Sequence, residues 1–421
     1  MKTIFFLILL IAPSFLYAQE ILKKADALVT PRIVEREVTV GGMNADISGF
    51  NNQSIQFAID AVAKTGGTVR LNPGFYEIIS PVRMKSNVKL IGSGEQTILK
   101  RGKGVQTNYI IDADYGELKL TVGNSDGFEV GMKVQVTDDV NNDCWNVSTA
   151  YITDIVDNVI YVDKGMIRDY LSDLNGLISN ASPVIEVLDA ENITISNLTV
   201  DGNRAENFFA DGCNSAGVMI MRSEKIVVDN IHVKDYNGEG ISWQITENVT
   251  IKNCEISGNG NTGLHPGTGS PFTIIENNDV HHNEVDGLFI CWRVYQSKVI
   301  SNKFHHNGRY GICTGHKDTD VVFDGNHIYN NAGDGINIRG ISDNNAPHRN
   351  TFVKNIIENN IGYGFSIKSQ AKDLLLKENI FKNSAKTQKA AIYIHQGGIE
   401  PKLENNQFDE HELGEIVFEE K

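Results

Sequence analysis

Two short runs hold side chains whose types and spacing suit acid–base chemistry: "GLFICWRVYQ" from Gly287 to Gln296 and "GHKD" from Gly315 to Asp318. His316 has an unperturbed pKa near neutrality, so it can take or give a proton at working pH. Lys317, Arg293 and Arg339 supply cations, and an Arg can clamp a carboxylate or sulfate through two parallel hydrogen bonds. Elimination beside a carboxylate needs such a set: the carboxylate is neutralised as the α-proton leaves, a base takes that proton, and an acid protonates the leaving oxygen. In this scheme His316 is base or acid, Tyr310 and His265 are reserve acid–base groups, and Asp318 orients His316 or Lys317.

A second scheme uses two carboxylates, Asp286 and Asp334. Each precedes a small-residue anchor, two repeats apart, which at a strand spacing of about 4.8 Å separates them by about 9.6 Å. An inverting glycoside hydrolase keeps its two carboxyls about 6.5 to 9.5 Å apart. Asp-Gly is equally a routine turn pair, so a purely structural reading of both stays open.

What has to position these residues is a repeat. Small residues followed by aliphatic ones recur at Gly217, Gly240, Gly263, Gly287, Gly311, Gly335, Gly364 and Ala391, at intervals of 23, 23, 24, 24, 24, 29 and 27. Between anchors lies a second strand ending in Asn230, Asn253, Asn278, Asn302, Asn326, Asn355 or Asn379. Short strands repeating about every 24 residues, with Asn and Gly turns, predict an all-β parallel β-helix. Stacked Asn side chains can form a ladder inside such a coil, and Asn tolerates the left-handed backbone of its turns.

Alternation then sorts each anchored strand. Val218, Ile220, Ile241, Leu288, Ile290, Ile336, Ile338, Phe365, Ile367, Ile392 and Ile394 point inward. Gln244, His265, Phe289, Cys291, Arg339, Lys368 and His395 point outward. Gln244, His265, Arg293, His316, Lys317 and Arg339 are expected along one strip of roughly 20 Å. Trp243, Gln244, Phe289, Trp292 and Lys368 are its candidate substrate contacts.

The rest of the chain frames the coil. Ile55, Ala58, Ile59 and Val62 fall on one face of a helix ended by Gly66-Gly67, which would cap the first coil. Residues 101–182 lose the period and alternate like hairpins, so they read as a small β insertion between a cap region, 19–100, and the repeat domain, 183–421. Residues 1–18, with Lys2 and an apolar run from Ile4 to Ala12, read as a secretory signal cleaved after Ala18, giving a secreted or periplasmic protein. Five cysteines are too few for a disulfide framework and none has zinc spacing. A net charge of -15 argues against nucleic acid and anionic membranes as partners. The expectation is a monomer that does not insert into a membrane.

The segment "SIQFAIDAVAKTGGTVRLNPGFYEI", the run "NLTVDGNR" and the coils together resemble the pectate-lyase-like superfamily of right-handed parallel β-helix proteins, over most of residues 53–406 outside the insertion. That superfamily includes polysaccharide lyases, polygalacturonase-type hydrolases and alginate C5-epimerases. The resemblance implies an enzyme acting on an anionic, uronate-containing polysaccharide or oligosaccharide, a lyase before a hydrolase or an epimerase, with a non-catalytic glycan-binding coil as the alternative from another class. The cap and "DGNR" most resemble the epimerases. Where those carry Asp-Pro-His beside a Tyr, the aligned coil reads "GISWQITEN", and His265-Pro266 stands one coil later. Calcium, which could bridge substrate carboxylates in this superfamily, finds no Asp/Glu run of loop spacing here, so no metal is assigned.

Overall fold

Aliphatic positions one turn apart are buried only if successive coils stack in register. Leu264, Leu288, Ile312, Ile336, Phe365 and Ile392 are consecutive cross-strand partners, and all six are buried. The computed structural model describes residues 36–420, so the expected signal at 1–18 lies outside the described residues. Three long sheets, one of thirteen strands and two of eleven, form the faces of a parallel β-helix. No helix among the described residues is long and apolar enough to cross a membrane.

Buried asparagines clamp the coils together. Asn278, Asn302, Asn326, Asn355 and Asn379 each donate from Nδ2 to Oδ1 of the next member at 2.9 or 3.0 Å, ending at Asn406. The second Nδ2 hydrogen goes to a backbone carbonyl, as from Asn302 to Ile275 O at 2.9 Å. A second ladder runs through Asn259, Asn283, Asn307, Asn331 and Asn360 to Gln388 at 2.9 to 3.2 Å. Asn230 and Asn253, read as ladder members, are instead left-handed turn residues, φ +54° and +55°. Cys254 takes the interior place, its amide donating to Asn278 Oδ1 at 2.9 Å.

Helix α1 (Asn52–Ala63) buries Ile55, Ala58, Ile59 and Val62, and Asn51 Oδ1 caps it by accepting Ser54 N at 2.9 Å. It ends short of the glycine pair because Gly67 already opens the strand Gly67–Leu71.

The non-repeating segment forms a six-stranded antiparallel sheet, from Gln106–Asn108 to Leu177–Asn180, around its own core of Tyr109, Phe128, Val134, Ile152 and Tyr170. Two buried cations fasten it to the coil. Arg101 donates to Asn180 O at 2.8 Å with its guanidinium 5.0 Å over the Tyr236 ring. Lys133 Nζ reaches Glu186 Oε1 at 2.9 Å and Asn214 O at 2.8 Å.

Replacing Asn302 by Ala strands Ile275 O and the Asn278 amide inside the coil. At roughly 1–3 kcal/mol per orphaned buried group, the chain should lose about 2–5 kcal/mol in urea unfolding. Asn277→Ala, at an exposed turn, should cost much less.

Candidate functional site

The sheet that carries the strip runs through strands Glu239–Gln244, Leu264–Gly267, Leu288–Phe289, Ile312–Thr314, Ile336–Ile338, Phe365–Ile367 and Ile392–Ile394. Its register sets Ser242 beside His265, then Phe289, Cys313, Asn337, Ser366 and Tyr393 in outward succession. The strip divides into an open stretch and a roofed end.

In the open stretch Trp292 and His316 lie face to face, centroids 4.2 Å apart and planes 8° from parallel. Trp292 is 47% exposed, so part of its ring is open to a ligand, with the Arg293 guanidinium 5.9 Å from the ring centroid. Trp292 O accepts the Gly269 amide, and His316 O accepts the Arg293 amide at 2.9 Å, so coil-to-coil backbone bonds hold the two rings in step. Arg293 and Lys317 are exposed in left-handed turns, φ +57° each. Partial burial lowers the His316 pKa, and Arg293, Lys317 and Arg339 push it down further. The imidazole is therefore neutral at pH 7, as a base requires.

Beneath them Arg339 and Asp318 serve the scaffold. Arg339 Nη2 donates to Ile290 O at 2.8 Å and Cys291 O at 2.6 Å and meets Asp318 Oδ2 at 3.5 Å, while its guanidinium covers the Phe289 ring at 4.5 Å. Asp318 is fully buried, accepts the Gly315 amide at 2.8 Å and the Val294 amide at 3.1 Å, and is pushed up to about 7 by that burial. It thus shapes the turn bearing His316 without touching the imidazole.

Other expected residues lie elsewhere. Asp286, fully buried, takes a two-pronged bond from Arg309 at 2.7 and 2.9 Å and the Tyr310 amide at 3.1 Å. Asp334 accepts the Tyr363 amide and the Asn337 side chain, each at 2.9 Å. Both are turn acceptors with their oxygens in use, which removes the geometric basis for an inverting pair. Tyr310 packs under Arg309 and Lys368, whose Nζ is 5.8 Å from its ring. Trp243 is not a surface platform: its position is the third after the anchor, so it points into the core, with Nε1 donating to Thr273 Oγ1 at 3.1 Å. Gln244 faces outward but is covered, packed against Gly267 and fully buried.

At the roofed end the loop before strand Ala216–Met221 packs onto the coil of Glu239, with Ser242 Oγ donating to Gly212 O and Gly212 against the Glu239 carboxyl, and His265 in the next coil is 4% exposed. Its Nδ1 stands 3.4 Å from Glu239 Oε1, and its ring packs edge-on to Phe289 at 5.2 Å. Burial raises Glu239 to about 7. Burial alone would lower His265, but the Cys291 thiol and Glu239 outweigh it and raise the imidazole. Sequence reasoning missed Glu239, although it occupies the same place before an anchor as Asp286 and Asp334. It also missed a recess of about 210 Å³ where insertion and coil meet, lined by Lys133, Trp145, Tyr151, Lys164, Glu186 and Arg222. There the Tyr151 hydroxyl donates to Glu186 Oε2. Among the described residues the one converging group of His, Cys, Asp or Glu donors is Cys144, Asp211 and Cys213, two thirds of it sulfur, a softer set than the all-oxygen ligands that calcium prefers.

A family model described as "right handed beta helix region" matches residues 136–352 and 240–408. A search of curated proteins finds no match. Among solved structures, the A-module of mannuronan C-5 epimerase AlgE4 from Azotobacter vinelandii aligns at TM-score 0.57 and 17% identity over 87% of this chain and 92% of that one. The AlgE6 A-module of the same organism aligns at 0.54 and 16%, over 87% and 93%. ORF18 of Geobacillus virus E2 aligns at 0.54 and 14%, over 93% and 64%. These likenesses extend the fold description to a right-handed coil.

Two titrations check the geometry. The His316 ring protons should titrate with a midpoint below 6.5 by NMR, and Arg293→Gln should move that midpoint upward. Asp318 holds a proton in the folded chain between the ordinary aspartate value of 3.8 and about 7, where the unfolded chain has released it. Its contribution is therefore full at the acid end and lost as pH rises through about 7. Unfolding measured across that window should show a shallower pH slope in Asp318→Asn than in the parent.

Proposed function

We propose that this chain, which belongs to the right-handed β-helix family, is an exported enzyme that cleaves an anionic, uronate-containing polysaccharide by β-elimination. The observation that carries the reading is the open Trp292–His316 stack with Arg293 and Lys317 on exposed turns beside it. A flat ring partly open to solvent suits a sugar ring, and the neighbouring cations suit its carboxylate. An extended polymer suits a face built from stacked coils. The structural neighbours titled mannuronan C-5 epimerase act, by that title, on a uronate polymer.

In this reading Arg293 and Lys317 hold the substrate carboxylate and stabilise the charge that develops on it. Neutral His316 takes the proton from C5. The C5–H electrons form the C4=C5 double bond as the C4–O bond breaks, and the leaving oxygen takes a proton from the Lys317 ammonium. Trp292, one face of which His316 covers, holds an adjoining sugar of the polymer so that the reacting unit meets the edge of the imidazole. Arg339 and Asp318 fix the two turns from below.

Incubation with a panel of polyuronides should give unsaturated products, read by their ultraviolet absorbance. His316→Ala should cut kcat by about 10²–10⁴ while leaving glycan affinity in place. Trp292→Ala should weaken affinity by about tenfold, the loss of roughly 1.4 kcal/mol of stacking. New reducing ends without that absorbance would move the assignment to hydrolysis, and an altered uronate ratio without cleavage to C5-epimerisation. Binding with no turnover would leave a glycan-binding coil.

A further inference from the structure

Cysteines that the repeat does not account for converge where the insertion meets the coil. Cys144 Sγ lies 3.3 Å from Cys213 Sγ and 3.9 Å from Asp211 Oδ2, although Cys144 and Cys213 are 69 residues apart in sequence. Among the described residues, these three form the one group of His, Cys, Asp or Glu donors whose ligand atoms all lie within 4.8 Å of one another. The local backbone holds them in place: Asn214 Nδ2 donates to Cys144 O at 2.6 Å, and Asp211 Oδ1 accepts the Cys213 amide at 2.8 Å.

A buried imidazole stands close by. His265 is 4% exposed and its Nδ1 pairs with Glu239 Oε1 at 3.4 Å. Glu239 closes the wall behind it, with Oε2 unpartnered. Gly212, between Asp211 and Cys213, lies so close to that carboxyl that a Cβ there would be 2.2 Å from Glu239 Cδ. Adjoining thiols and a carboxyl repel once ionised. A bound cation would convert that cost into bonds.

We propose that Cys144, Cys213 and Asp211 form a three-ligand binding site, with a fourth position left to solvent, for a soft divalent cation of the zinc class. Bonds of about 2.0–2.3 Å in a tetrahedral site place ligand atoms roughly 3.3–3.8 Å apart. The sulfur–sulfur and sulfur–oxygen separations here are close to that spacing. Thiolate donors select zinc-like ions over calcium or magnesium. Binding releases the two thiol protons to solvent and leaves the sulfurs as thiolates. The ion ties the insertion, through Cys144, to the loop before strand Ala216–Met221, through Asp211 and Cys213. The site stands whether or not the open stretch degrades a glycan.

The test is cobalt(II) titration of the reduced, chelator-treated full chain. One cobalt should bind per chain with thiolate-to-cobalt charge-transfer absorption and the intense visible bands of tetrahedral geometry, and zinc should displace it. Cys144→Ser, at the half-buried start of the short 3-10 turn Cys144–Asn146, should remove most of the charge-transfer band with an unchanged circular dichroism spectrum. Asp211→Asn should weaken binding by about ten- to a hundredfold. Cys254→Ser, in the scaffold, should bind as the parent does. Two results would overturn the proposal: no thiolate-to-cobalt absorption from the reduced parent, or peptide mapping of the exported chain that finds Cys144 and Cys213 joined as a disulfide.

Discussion

The hydrogen bond from one buried asparagine amide to the next is the constraint on which the rest of this structure depends. Parallel coils have no tight hairpins to fix their register, and a slip of one residue would turn every outward side chain inward. A buried Asn stops the slip because its amide has just enough donors and acceptors for the coil above, the coil below and one carbonyl. The ladder also tolerates insertions. The step from Asn326 to Asn355 spans 29 residues, yet its 2.9 Å bond matches those across 24. The additional residues leave as the loop around Asp343–Asn345, whose Asn345 O accepts the Lys317 amide at 2.7 Å. Length variation in one coil thus becomes support for a turn of the open stretch.

With register fixed, alternation decides which residue types meet solvent, but not which of them remain available. Arg339 shows the difference. Its place on the outer face follows from the strand period, yet its guanidinium is committed to Ile290 O, Cys291 O and Asp318. A planar fork with several donors can satisfy stacked carbonyls that a lysine could not, so Arg at this position stabilises the coil before it serves any ligand. Arg293 and Lys317 escape that fate because left-handed turns carry them off the strand.

The coil was therefore legible from the sequence, and so was the face. The inward aliphatics, the first ladder and the outward strip follow from the period alone. Trp243 was legible as well, being at an inward position, and went astray because a tryptophan near a candidate groove invites a binding role. Gln244 and His265 could not be read as buried, since the loop before Ala216 packs onto that corner of the coil. Those contacts span large sequence separations without any spacing signal. The convergence of Cys144 on Cys213 is hidden for the same reason. The second ladder was hidden differently: Asn283 and Asn307 each follow two histidines and look like ordinary turn residues.

The residue before each anchor shows how one methylene decides between scaffold and site. Asp286 and Asp334 reach the amide of the following coil, at Tyr310 and Tyr363, and so act as turn acceptors. Glu239 stands at the equivalent place with a longer side chain. It meets Asn261 Nδ2 at 3.1 Å and His265 Nδ1 at 3.4 Å instead, and Oε2 is left without a partner. A buried carboxyl satisfied by backbone amides is anchored at little cost, whereas one with a free oxygen keeps its desolvation penalty and rises toward neutral pH. A fold that satisfies such carboxyls with backbone amides at Asp286 and Asp334 has instead set one acid against one imidazole, at the corner where the insertion brings Cys144 to Cys213.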